Sequence, residues 1–128
     1  MAGELVPLVM LPRYTTYAGK ITSPSTDYFT TIAMDVTQYE SAILNVWRGK
    51  IVAATTNSFT VWFEESTDQV TYSACAGSNP SGDAVTENAE TQFTLTLKKR
   101  WFRMKVLLGA ADNVASCWAV GFLEERQR

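Results

Sequence analysis

The chain has 128 residues, 46% of them hydrophobic, 12% aromatic and 19% charged, with a formal net charge of −2. That is the composition of one folded domain with a real core, not of a disordered tail. With no histidine, histidine catalysis, ligation and pH switching are excluded, and the near-neutral charge argues against general nucleic-acid binding.

The β-branched residues Thr, Val and Ile supply strand signals throughout, and no window sustains a helical apolar period. The run Leu5–Leu11 is apolar but carries Pro7, follows Glu4 without a Lys or Arg, and precedes no small-x-small pattern, so it does not read as a signal peptide. It is either the first edge strand or an arm reaching onto a neighbour, which divides the chain into an arm (1–12) and one sandwich domain (13–128). RYTTYAG (13–19) reads as a strand, followed by a turn over 22–27. In FTTIAMDV (29–36), alternation puts Thr30, Ile32, Met34 and Val36 on one face, and a short helical turn fits between Asp35 and Tyr39. The stretch 41–54 is a strand that bends or divides near Gly49, with a turn over 55–58.

In SFTVWFEE (58–65), Phe59, Val61 and Phe63 face one way and Thr60, Trp62 and Glu64 the other. Ser66, Thr67 and Asp68 then form a turn whose side chains satisfy its own backbone. VTYSACA (70–76) reads as a strand and 77–84 as a turn. In 91–99, Phe93, Leu95 and Leu97 share the inner face. In 101–109, Phe102, Met104, Val106 and Leu108 oppose Trp101, Arg103 and Lys105. After a turn over 109–113, VASCWAVGFLEE (114–125) is apolar on both faces, as a central or covered strand is, with Trp118 expected inside beside Val114, Val120 and Phe122. The sum is an all-β, antiparallel two-sheet β-sandwich of the jelly-roll kind with about eight strands.

Groups for catalysis are few. Cys75 and Cys117 have no basic neighbour within four positions and no CxxC spacing, and two buried thiols are expected rather than a disulfide. Glu64 and Glu65 point to opposite faces of a continuing strand and so do not converge as a hydrolytic pair. Asp68 with loop carbonyls is a weak calcium candidate lacking EF-hand spacing. Arg103 is placed to pair across strands with Glu64 or Glu65. No enzyme, cofactor or metal is expected.

Two segments carry a family resemblance: VWFEESTDQVTYSAC (61–75) and LKKRWFRMKVLL (97–108). Their order resembles the pattern of discoidin-like jelly-roll domains, a strand leading to S-x-D-g-x-T-aromatic and later aromatic-x-R in a strand. Small domains of this kind recur in phage virions as capsid-decorating or spike-base modules. Gln69 stands where that pattern has Gly, Tyr72 where it often has Trp, and the terminal cysteine pair of the secreted members is absent. The resemblance implies a virion structural protein made in a host cytoplasm.

Tryptophans on nominally polar faces need a cover. Trp62 and Trp101 lie opposite the predicted core faces, and Trp47 is ambiguous. With Arg103 and Lys105, part of the basic group Lys98, Lys99, Arg100, Arg103 and Lys105, they suggest a docking face. The arm residues Leu5, Val6, Leu8 and Val9 would add to it. The expected partners are a capsid or other virion protein and further copies of the chain, a trimer being favoured, with no nucleic acid and no membrane. The alternative is a carbohydrate-binding module in which Trp62, Trp101 or Tyr72 stacks on a sugar.

Overall fold

The computed structural model describes residues 4–18, 28–52, 59–109 and 113–126. The turns expected over 22–27 and 55–58 and the middle of the one over 109–113 lie outside these residues. Eleven strands are present among them: β1 (Leu5–Leu11), β2 (Thr16–Ala18), β3 (Tyr28–Thr30), β4 (Met34–Asp35), β5 (Tyr39–Arg48), β6 (Thr60–Ser66), β7 (Ser73–Ala74), β8 (Asp83–Ala84), β9 (Glu90–Thr96), β10 (Trp101–Leu107) and β11 (Val114–Glu125). The three beyond eight are β1, read as an arm or edge strand, β4, separated from β3 by a break within 29–36, and β8, inside the stretch read as a turn.

All pairings between strands are antiparallel and form two sheets. The first runs β1-β11-β5-β9, with β2 also on β11. The second runs β3-β10-β6-β7, with β4 on β10 and β8 on β6. Their inner faces make a two-sheet β-sandwich closed by the alternating apolar rows read from the sequence: Ala42, Leu44 and Val46, Phe93 and Leu95 from the first sheet, and Val61, Phe63, Phe102, Met104 and Val106 from the second, all buried. Phe63 crosses between the sheets to Phe93, ring centroids 5.1 Å apart. Tyr17 of the first sheet stacks on Phe29 of the second at 4.8 Å and closes one seam.

Of the two readings of Leu5–Leu11, the edge strand is the one found: the segment zips onto β11 in its own sheet. Other expectations are corrected. Leu8 is buried in the chain's own core, and the half-buried Val6 pairs with the inward Leu123. In 29–36 the phase breaks: three residues without strand structure separate β3 from β4, Phe29 points inward, and Ile32 is 92% exposed. The loop resets the alternation that a continuous strand would have kept. The helical turn near Asp35 is a tight turn closed by Tyr39 N–H donating to the Val36 carbonyl at 2.9 Å. Among the described residues of 13–19 only Thr16–Ala18, and within 70–76 only Ser73–Ala74, are in strands.

The phase of β11 is also the reverse of the expected one. Ala115, Cys117, Ala119 and Leu123 are buried, which sends Trp118, Val120 and Phe122 outward. Small side chains face inward here, where β11 is a central strand and its inner side is buried in the core. Gly121 marks the closest approach: a β-carbon there would stand 1.8 Å from the Ile43 carbonyl oxygen.

The turn after β6 is built as the sequence suggests. Ser66 Oγ accepts from Asp68 N–H (3.1 Å) and Gln69 N–H (2.9 Å), and Asp68 Oδ1 accepts from Val70 N–H (2.8 Å) and Thr71 N–H (2.9 Å). Gln69, at the position where the discoidin-like pattern carries Gly, has a left-handed backbone with φ of 63°.

Candidate interaction faces

Each sheet has an outer face, and the two differ in kind. On the second sheet the outward row of β10 is Trp101, Arg103 and Lys105, set in register against Ser66, Glu64 and Trp62 of β6. Most of these groups already have partners within the chain. The Arg103 guanidinium meets Glu64 at 3.4 Å and lies over the Tyr72 ring at 3.5 Å. Lys105 Nζ sits between Tyr28 and Trp62, 4.5 and 5.5 Å from their centroids.

The Trp62 indole N–H donates to the Pro80 carbonyl at 3.1 Å. Its ring is pressed by Gly82, whose φ of 87° and whose missing β-carbon, which would lie 2.6 Å from the ring, both require glycine. The cover that Trp62 needs is therefore supplied by the chain's own 77–84 loop. Trp101 is flanked by Arg100, 4.9 Å over its ring, and Arg100 in turn pairs with Asp35 at 3.1 Å. A cleft of about 400 Å³ is lined by Trp62, Glu64, Tyr72 and Lys105.

Of the acids, Glu64 faces outward with Arg103. Glu65 is buried and accepts the backbone N–H groups of Lys98 (2.9 Å) and Lys99 (3.2 Å), fixing the β9–β10 turn. The two carboxyl groups therefore do structural work on opposite faces of β6, and neither pair of atoms converges on a common point. Asp68 is held at about 2 by the N–H groups of Thr71 and Val70 and then by the Ser66 hydroxyl. Among the described residues no group of three or more Cys, Asp and Glu side chains is arranged to hold a metal.

The outer face of the first sheet is different. Trp118 lies opposite Trp47, Val120 between Val9 and Asn45, and Phe122 between Pro7 and Ile43. Leu5 extends the row on β1. These side chains form an apolar stripe across three strands, in which Leu5 is 52%, Val9 61% and Phe122 46% exposed. The two indoles stack, centroids 6.2 Å apart, and the Arg13 guanidinium caps Trp118 at 4.2 Å. At the other end of β11, Glu124 accepts from the Ser41 hydroxyl at 3.0 Å. Among the residues expected to bind a partner, Leu5, Val9 and Trp47 meet on this face, whereas Trp62, Trp101, Arg103 and Lys105 lie on the opposite side of the sandwich.

Sequence reasoning missed Ile43, Trp118, Val120 and Phe122 as outward residues. The signal that would have found them is the small-residue row Ala115, Cys117, Ala119 and Gly121, which suits the crowded inner face of a central strand. Both cysteines are free and buried. Burial pushes the Cys117 thiol up to about 12, and burial aided by Glu65 and Glu64 raises Cys75 as well, so neither is a ready thiolate.

No family model and no curated protein matches this chain. A solved structure does: a Bacillus endospore appendage, described as belonging to a novel family of disulfide-linked pili. The two are 13% identical, with a TM-score of 0.57 over 98% of this chain and 91% of the other. The two chains share a fold over nearly their whole length.

Proposed function

We propose that this chain is a non-enzymatic structural subunit that packs against other polypeptides in a repeating assembly. On the discoidin-like resemblance, we take that assembly to be a virion surface, as a capsid decoration or a spike or fibre module made in the host cytoplasm. The observation that carries the reading is the apolar stripe on the outer face of the first sheet. Water meets Leu5, Val9 and Phe122 there with no segment of the described chain folded over them. Contiguous apolar surface of this kind on a small domain marks a protein contact. Two further observations support it. The acids that could have served hydrolysis are tied into a strand pair and a turn, and the fold is shared with a subunit that is itself part of a pilus.

The test is to purify particles or fibres from the producing source and quantify the chain in them by mass spectrometry. Stoichiometric, repeating incorporation is expected, together with its loss when Phe122 and Val9 are replaced by Thr. Absence of the chain from every particulate fraction would refute the reading.

A further inference from the structure

We infer that the first partner of the apolar stripe is a second copy of this chain, stacked face to face about a two-fold axis that crosses the strands at right angles. This deepens the reading just given, since it names what covers that face. Three features of the face select it.

The first is size. Four paired strands about 4.8 Å apart, seven to twelve residues long at about 3.3 Å each, present about 600 Å² per copy, or about 1,200 Å² in a pair, the lower limit for a specific interface. The second is shape. The outward rows of β1, β11 and β5 belong to a regular sheet surface, and sheets pack face to face at about 10 Å with their side chains interdigitating.

The third is charge, and it sets the direction. On the stripe itself the charged group at the Trp118 end is a cation, Arg13, and the one at the Leu5 end an acid, Glu124, with Lys98 and Arg126 beside it toward the β9 edge. The two ends are about 20 Å apart, six residues along β11. A second copy rotated about an in-plane axis across the strands brings its own Glu124 end over Arg13, and its Arg13 over Glu124. Each pair is made twice. The same rotation lays Glu90, beside Trp47 at the β9 edge, toward the corner of the second copy that holds Thr96, Lys98 and Arg126. A copy stacked in the same strand direction would instead set Arg13 near Arg13 and Glu124 near Glu124. Self-complementarity of this kind is what an isologous contact needs, and it points to two copies rather than three.

The experiment is light scattering and sedimentation of the purified full chain over a wide concentration range, with a thermal melt of every variant. The wild type is expected at dimer mass. Arg13→Glu and Glu124→Arg are each expected to weaken the dimer at least tenfold, while the double variant carrying both returns to within about threefold of the wild type. Loss of the Arg13 cation over Trp118 would not be repaired by a change at residue 124, so rescue reports contact between copies rather than a stacking defect. A monomer at all concentrations, a trimer, single variants without effect, or a double variant no tighter than the singles would each overturn the inference. The two proposals fail separately. A monomeric chain that is nonetheless built into particles sinks only the two-fold dimer. A dimer rescued by the double swap but absent from every particle sinks only the assembly role.

Discussion

Replacing Phe122 by Thr separates the two jobs of the outer face. Threonine keeps the strand preference of the position and removes the ring. In the folded subunit just over half of the side chain is shielded, between Pro7 and Ile43, and 46% of it meets solvent. Full burial of a Phe side chain stabilises by about 1.5–3 kcal/mol. The shielded part therefore contributes about 0.8–1.6 kcal/mol to the subunit's own stability. The exposed part is available only to a partner, at about 0.7–1.4 kcal/mol per copy, or about 1.4–2.8 kcal/mol in a two-fold dimer. The association constant should then fall about 10- to 100-fold. A melt in the monomeric concentration range reads the first quantity, as a Tm loss of about 3–9 °C. Sedimentation equilibrium reads the second. If association weakens less than threefold, or if the melt is unchanged while association is lost, the division of the ring between core and contact is wrong.

Three other outcomes follow from the geometry. Gly121→Ala must displace the Ile43 carbonyl by more than 1 Å from a starting separation of 1.8 Å. The β5–β11 ladder should lose about 2–4 kcal/mol, seen as a lower Tm and faster hydrogen exchange at Ile43–Val46 than elsewhere in the core. The Asp68 carboxyl, held at about 2 against 3.8 unfolded, favours the folded turn fully above pH ~4 and loses that contribution as the pH falls toward 2. Asp68→Asn should flatten this part of the acid-unfolding profile relative to the wild type, and a carboxyl signal titrating near 4 would contradict it. A thiol reagent at neutral pH should label Cys75 and Cys117 only at the rate of unfolding, and denaturant should release both at once.

The architecture was legible where the two-residue period was strict. Phe59, Val61 and Phe63, Phe93, Leu95 and Leu97, and Phe102, Met104 and Val106 all lie on the buried faces that alternation assigns, and the Arg103–Glu64 pair follows from their register. It failed where alternation carries no contrast. Along β11 both rows are apolar, so polarity cannot choose the inner one. Volume does: the small Ala115 and Ala119 take the buried side, and the large Trp118 and Phe122 take the outer one. It failed again at 31–33, where a break in the strand shifts the phase and turns Ile32 outward. Trp62 and Trp101 were read as needing an outside cover because each sits opposite a core row. The cover for Trp62 comes from a loop fifteen or more residues along the chain, a long-range fact that no local pattern carries.

The cysteines constrain how copies of this chain could be joined in the assembly proposed above. Its only two thiols are buried among core side chains, and desolvation disfavours the thiolate that exchange requires. Cross-linking either one to another copy would mean opening the core that Cys75 and Cys117 help to fill, so an assembly of folded subunits has only non-covalent surface to hold it. For a subunit of this size that surface must combine apolar area with a feature that fixes orientation. The first sheet offers both in one place: the Trp118–Phe122 row for area, and the Arg13 and Glu124 ends for direction. The second sheet, whose cations are largely matched inside the chain, has less left over for a partner. An assembly of this protein should therefore be indifferent to reductant and sensitive to salt, because exposed end charges are screened over about 8–10 Å while the buried thiols play no part. Dissociation by a reducing agent at constant ionic strength would show that the thiols leave the core on assembly, and the interface argued for here would have to be abandoned.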